Sequence, residues 1–239
     1  MNTIAEDRAT QSAKVRGLQG AVTFDLEQAI RLRHSTRMFL PQQPVPRVLV
    51  EEAFALAVHA PSNSNIQPWH MVFASGPARD RLVKALLEAA RRGPPNIPPI
   101  PESFQHFRRE LGAQVYGSMG IAREDKEGRV AAEMRNFEFF RAPLAGIVCM
   151  HRDLSPPDAL SVGMFLQTLL LALTARGLAT CVQVSVAGYP EVVRAELAIP
   201  AELSILCGLA VGYPDPDFPC NKLHIAREAI EKNVVFLDN

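Results

Sequence analysis

Apolar residues along this chain follow two rhythms, and the switches between them mark its elements. Leu26, Ala29, Ile30 and Leu32 give one apolar side to a helix over 25–33. A second helix starts at Arg47, where Val48, Leu49, Val50, Ala53, Phe54, Leu56 and Ala57 keep helical spacing, and it ends before Pro61. HMVFA (70–74) reads as a strand, and 77–92 as an amphipathic helix. Five prolines between 94 and 101 forbid regular structure there. Beyond them, 102–140 is helical in pattern and heavily charged, which predicts an excursion of two helices, at about 94–140, rather than a second domain. LAGIVCM (144–150), TCVQVS (180–185) and SILCGLAVG (204–212) are near-continuous apolar runs, as expected of strands buried on both faces. A strongly apolar helix over 158–176 stops at Gly177, and another covers about 190–197. VVFL (234–237) is the last strand candidate. Strands and helices alternate loosely, so the class is α+β with a covered mixed sheet. One domain over 21–239 follows a mobile polar tail at 1–20.

The helix over 158–176 is apolar nearly all round, through Leu160, Val162, Met164, Phe165, Leu169, Leu170, Leu171 and Leu173. Such a helix must be covered on every side, and one sheet covers only one of them. A subunit interface is a way to cover the rest.

Charge narrows the partners. Lys plus Arg and Asp plus Glu both total 25, so no net field draws the chain to nucleic acid or an anionic membrane. Any anion must be held by local arginines. Cys149, Cys181, Cys207 and Cys220 form no CxxC pair, and three sit in apolar runs, which predicts buried reduced thiols in a cytoplasmic protein. The N-terminus has no apolar signal core, and the most apolar stretch, 162–173, is too short for a bilayer and contains Gln167 and Thr168. No metal site is expected, since the six histidines do not cluster.

Three polar clusters interrupt the packing pattern. Arg33-His34-Ser35-Thr36-Arg37 places Arg33, Ser35 and Arg37 on one side of an extended segment. Such a strip can hold a phosphate, a polyol chain or a polarised ring edge, because arginine presents a charged fork of donors; the plain alternative is a solvated basic turn. Pro61-Ser62-Asn63-Ser64-Asn65-Ile66-Gln67-Pro68-Trp69 is rich in groups that fix a loop to its own backbone and that match a uracil-like edge. The third runs from Gly212 to Arg227 and carries Lys222 and Arg227. There is no GxGxxG after a strand, P-loop, GxSxG or HExxH.

In order and spacing, RHSTRMF, PSNSNIQPW, NFxFFxAP (136–143), GLxTCxQ (177–183) and GYPDPD with NKLHIAR (212–227) resemble the nitroreductase family of flavoproteins over about 24–239, and within it a nitrobenzoate-reductase-like branch. The resemblance implies a mixed, mainly antiparallel sheet covered by helices in an intertwined homodimer with two shared sites. It implies FMN as cofactor, NADH or NADPH as electron donor, and a small aromatic acceptor such as a nitro compound or quinone, in ping-pong turnover. It places Arg33, His34 and Ser35 at the FMN phosphate and ribityl chain, and Arg227 at the phosphate. Arg37 falls near the N1/O2 side of the ring, where it would stabilise charge. Pro61, Ser62, Asn63 and Asn65 match a loop reaching the flavin from the partner, and Gln183 and Ser185 lie on the strand passing the ring. Phe104, Phe107 and Tyr116 are candidates for the acceptor pocket, with Phe137, Phe139 and Phe140 beside them. Two departures matter: Ile225 stands where many members have a basic residue, leaving Lys222 as a substitute, and Val182 stands where branch members often have proline. Rival readings are reductive dehalogenation or flavin fragmentation on the same fold, and a non-enzymatic module that binds a phosphorylated ligand.

Overall fold

The computed structural model describes residues 25–238, so the expected tail at 1–20 lies outside the described residues. The chain runs α1 (Leu26–Leu32), α2 (Arg47–Ala57), β1 (His70–Ser75), α3 (Gly76–Arg92), α4 (Gln105–Ser118) and α5 (Lys126–Met134). It continues through β2 (Leu144–His151), α6 (Pro156–Thr174), β3 (Ala179–Gln183), α7 (Val184–Ala187), α8 (Pro190–Leu197) and β4 (Leu203–Gly212). The sheet order is β1-β2-β4-β3, every neighbouring pair antiparallel. A single parallel bridge, Ser35 to Thr180, extends it beyond β3.

The two central strands are those with the longest apolar runs, as burial on both faces requires. One face carries Ala145, Ile147, Cys149 and Ala210 against Leu82 and Leu86 of α3, Phe39, Phe137, Phe139 and Val193. The other carries Leu209 and Val211 against Ala53 and Ala57 of α2 and Phe165, Leu169 and Leu173 of α6. α6 is fixed at its start by a capping box between Ser155 and Asp158, with Pro156 and Pro157 in its first turn. In its middle, Phe165 stacks on Trp69 at 4.7 Å and tilts against Phe54 at 5.6 Å. By length and composition alone α6 could cross a membrane, but its inner face is core. Its outer face is open: Leu160 is 67% exposed.

Gly212 lets the polar strip approach the sheet. A Cβ there would meet Pro143 at 2.8 Å and the Phe39 ring at 3.0 Å. With no side chain in the way, Phe39 packs fully buried across the end of β4.

Two expectations need correction. TCVQVS is not a strand throughout: β3 ends at Gln183, and Ser185 sits in the four-residue helix α7. Val184 is solvent-exposed while Val186 is buried against Gly208, so a turn of helix satisfies this segment better than continued extension. VVFL is not a strand either, and Val235, Phe236 and Leu237 are 80%, 78% and 88% exposed. A strand needs a neighbouring edge for its N–H and C=O groups, and this segment pairs with none among the described residues.

Candidate functional site

The Arg33–Arg37 strip begins where α1 ends, with Arg33 as its C-cap. From there the chain is extended and pinned from two directions. The Thr36 N–H donates to the Thr180 carbonyl at 3.0 Å, tying the strip to β3. The Arg37 N–H donates to Asn221 Oδ1 at 2.8 Å, and Asn221 Nδ2 donates to the Met38 and Asp215 carbonyls at 2.8 and 2.9 Å. Asn221 therefore clips the C-terminal segment onto the strip, and its neighbour Lys222 is exposed. Alternation then sorts the side chains: Thr36 and Met38 are buried, while Arg33, Ser35 and Arg37 are half-buried on the other side. His34 is turned away, its Nδ1 2.9 Å from the Leu32 carbonyl.

No carboxylate pairs with Arg33 or Arg37 among the described residues. The nearest anchor is neutral: the Arg37 Nη1 donates to the Ser35 carbonyl at 3.3 Å. Beneath the strip lies the Cys181 thiol, which burial pushes up to about 11 even with Arg37 beside it. It is a neutral thiol, and like Cys149, Cys207 and Cys220 it is buried and free. Two half-buried guanidiniums over a neutral floor leave positive charge that no carboxylate among the described residues offsets.

Gln183 is the last residue of β3. Its side chain is buried, its Nε2 donates to the Asn136 carbonyl, and its Oε1 has no hydrogen-bond partner among the described residues. An orphaned buried acceptor is rare and costly, and marks a place where a donor belongs.

The Pro61–Trp69 loop stands on α6. Asn63 Nδ2 donates to Asp158 Oδ1 at 3.1 Å, and the Asn63 N–H donates to Ser161 Oγ at 3.2 Å. Ser62 Oγ accepts from the Gln67 N–H at 3.1 Å. Ser64, Asn65 and Gln67 adopt positive φ, so the loop is a tight, held shape. Pro61, Asn63 and Asn65 are exposed, and no hydrogen bond ties the loop to the Arg33–Arg37 strip among the described residues. Arg227 also stands apart: its guanidinium folds back on the Ile225 carbonyl at 2.7 Å.

Asp158 was not legible as a site residue, although its spacing from Ser155 is that of a capping box. Its carboxyl is held below the usual range by the Ser155 N–H first, then by Asn63 and the Ser155 hydroxyl. A lowered folded value means that its stabilising contribution is present above about pH 4 and fades as pH falls through that value. We expect Asp158→Asn to speed hydrogen exchange across 61–67 and to flatten the acid side of a melting-temperature profile. Unchanged exchange in the loop would show that Asp158 does not hold it.

Beside the strip lies a cavity of about 680 Å³ between α4, α5 and Arg37. Tyr116, Asn136 and Phe140 line it, whereas Phe104 and Phe107 stack on each other at 6.4 Å in exposed positions outside it. Phe137 and Phe139 belong to the core. A larger hollow of about 820 Å³, lined by Val50, Phe54 and Phe73, shares no lining residue with this one. No metal-binding cluster occurs among the described residues.

Fold and site together define an α+β protein with an arginine-bearing strip crossing the end of an antiparallel sheet. The chain belongs to the nitroreductase family, whose model matches residues 30–213. It is 35% identical over 224 residues to nitroreductase NfnB of Mycolicibacterium smegmatis, covering 90% of this chain and 95% of that protein. To the 4-nitrobenzoate reductase of Pseudomonas putida it is 34% identical over 213 residues, covering 87% and 93%. The crystal structure of the FMN and NADPH-dependent nitroreductase NfnB of Sphigopyxis sp. strain HMH superposes with a TM-score of 0.86 at 31% identity, covering 90% of this chain and all of that one.

Proposed function

We propose that the protein is an FMN-dependent reductase that carries electrons from NAD(P)H to small electrophilic aromatics, nitro compounds and quinones among them, in ping-pong turnover. The relatives are nitroreductases, one of them FMN- and NADPH-dependent. The observation that carries the reading is the pinned strip, whose arginines lack carboxylate partners among the described residues. Its donor set fits FMN: Arg33 for the phosphate, Ser35 for the ribityl chain, and Arg37 for the ring edge where negative charge gathers, while His34 would have to turn from the Leu32 carbonyl to join Ser35. Lys222 stands close enough in sequence to Asn221 to join them, and Arg227 would have to swing from its own backbone to reach the phosphate. Donors from the backbone near Gln183 and Ser185 would face the opposite ring edge. When bound, FMN supplies the hydride chemistry; the chain binds, orients and tunes it.

The partner copy completes this site. The loop of Pro61, Ser62, Asn63 and Asn65 is held rigidly by Asp158 yet displayed outward, as a loop that serves another chain must be. The outer face of α6 and the exposed apolar tail at 235–237 need cover, which a homodimer gives. Tyr116 lines the cavity that begins at Arg37, where an acceptor at the Arg37 end would follow the departing NAD(P)H, and Phe104 and Phe107 are placed to close over a neighbouring site. Neutral net charge and four buried thiols fit a cytoplasmic enzyme with no nucleic-acid or membrane partner.

Anaerobic stopped-flow tests the reading. Bound flavin should bleach with NADPH and recover its colour on mixing with a nitroaromatic or quinone. Flavin that bleaches but does not recover with any acceptor of that panel would contradict the reductase assignment.

A further inference from the structure

The cavity beside the strip has an unusual charge. Arg37, Arg108, Arg109, Arg123, Arg129 and Arg135 all line it, against Glu133 as the single carboxylate in its wall among the described residues. The chain as a whole is neutral, so this is a local concentration and not a reflection of net charge. None of the six is ion-paired among the described residues. Glu133 is engaged by the Tyr116 hydroxyl at 3.3 Å. Two of the guanidiniums are instead held by uncharged groups. Arg129 lies 4.2 Å over the Tyr116 ring, and Arg135 contacts Met119 Sδ at 3.2 Å and faces the Phe218 ring. Gathering like charges around a cavity is unfavourable unless an anion enters it.

The remaining wall is apolar, through Leu111, Val115, Ile121 and Phe140. A ligand that suits it has a flat or apolar body and several negative charges. One carboxylate would offset only one guanidinium. A 2′-phosphate near its second ionisation, with a diphosphate beside it, matches the excess far better. Arg37 belongs both to this wall and to the strip, so the cavity opens from the proposed flavin site.

Resting on the reductase reading, we propose that this cavity seats the phosphorylated adenosine end of NADPH and sets the choice of NADPH over NADH, with Arg108 and Arg129 as specificity-determining residues.

Calorimetric titration of the holoenzyme with adenosine 2′,5′-bisphosphate and with 5′-AMP reads the site without turnover. Arg108→Gln and Arg129→Gln should each weaken the bisphosphate by about tenfold, the loss of one charge-assisted contact, and leave 5′-AMP within about twofold. In steady state, kcat/KM should fall about tenfold for NADPH and stay within about twofold for NADH. Arg108 is exposed, so its variant should fold as the wild type does; Arg129→Lys, which keeps the charge, should recover part of the affinity. Equal losses for NADH and NADPH, or a bisphosphate that binds the variants as it binds the wild type, would overturn the proposal. So would a loss confined to 4-nitrobenzoate against nitrobenzene, which would give the arginines to the acceptor. A chain that retains no flavin yet binds the bisphosphate through Arg108 would defeat the reductase reading and leave the nucleotide site standing.

Discussion

Arg33→Ala is expected to purify without flavin. Arg33 is half-buried at the C-cap of α1 and has no carboxylate partner among the described residues, so its charge is available to a phosphate. A hydrogen bond to a charged group contributes about 1.5–3 kcal/mol, and leaving a phosphate short of its cation weakens FMN by about ten- to a hundredfold or more. The fold should survive, since the strip is pinned by Thr180 and Asn221 through backbone groups that the substitution leaves alone. Equilibrium dialysis against FMN measures the loss. Wild-type affinity in the variant would move the phosphate elsewhere.

Arg37→Ala is expected to keep flavin but to hold it at a lower potential. The backbone N–H of Arg37 remains on Asn221, so the segment keeps its path. What disappears is the cation proposed to lie beside the N1 edge and to stabilise negative charge there. Losing about 1.5–3 kcal/mol from a two-electron couple lowers the potential by about 30–60 mV. Reduction by NADPH should slow by about ten- to a hundredfold if most of that stabilisation is already felt at the barrier. A potential unchanged from wild type would remove Arg37 from this duty.

Much of the fold was legible because its signals are local. α3, β2 and β4 lie within a residue or two of where apolar rhythm put them, and Pro46 and Gly177 bound their helices as their backbone preferences require. The strip was legible for the same reason: alternation alone sorts Arg33, Ser35 and Arg37 from Thr36 and Met38. What failed were features settled by distant contacts. Val186 turns inward because Gly208 leaves room for it, which ends β3 early and lifts Ser185 off the strand. The tail at 234–237 has strand composition without a strand edge to join. Asn221 pins the strip and Asp158 pins the loop, yet each acts on a residue more than ninety positions away. No sequence window brings those pairs together. The arginine-lined cavity was equally hidden, because Arg37 meets α4 and α5 only after the excursion folds back.

The central claim is that a strip from one protomer and a loop from its partner hold one flavin between them. Subunit complementation tests it most directly. One chain carries Arg33→Ala; the other carries Asn63→Ala with Asn65→Ala; each homodimer alone should be colourless. In the purified heterodimer, the intact strip of the second chain faces the intact loop of the first, so one flavin per dimer and about half the wild-type activity should return. If each chain builds its own site, no intact site exists in that heterodimer, and it would stay colourless and inactive.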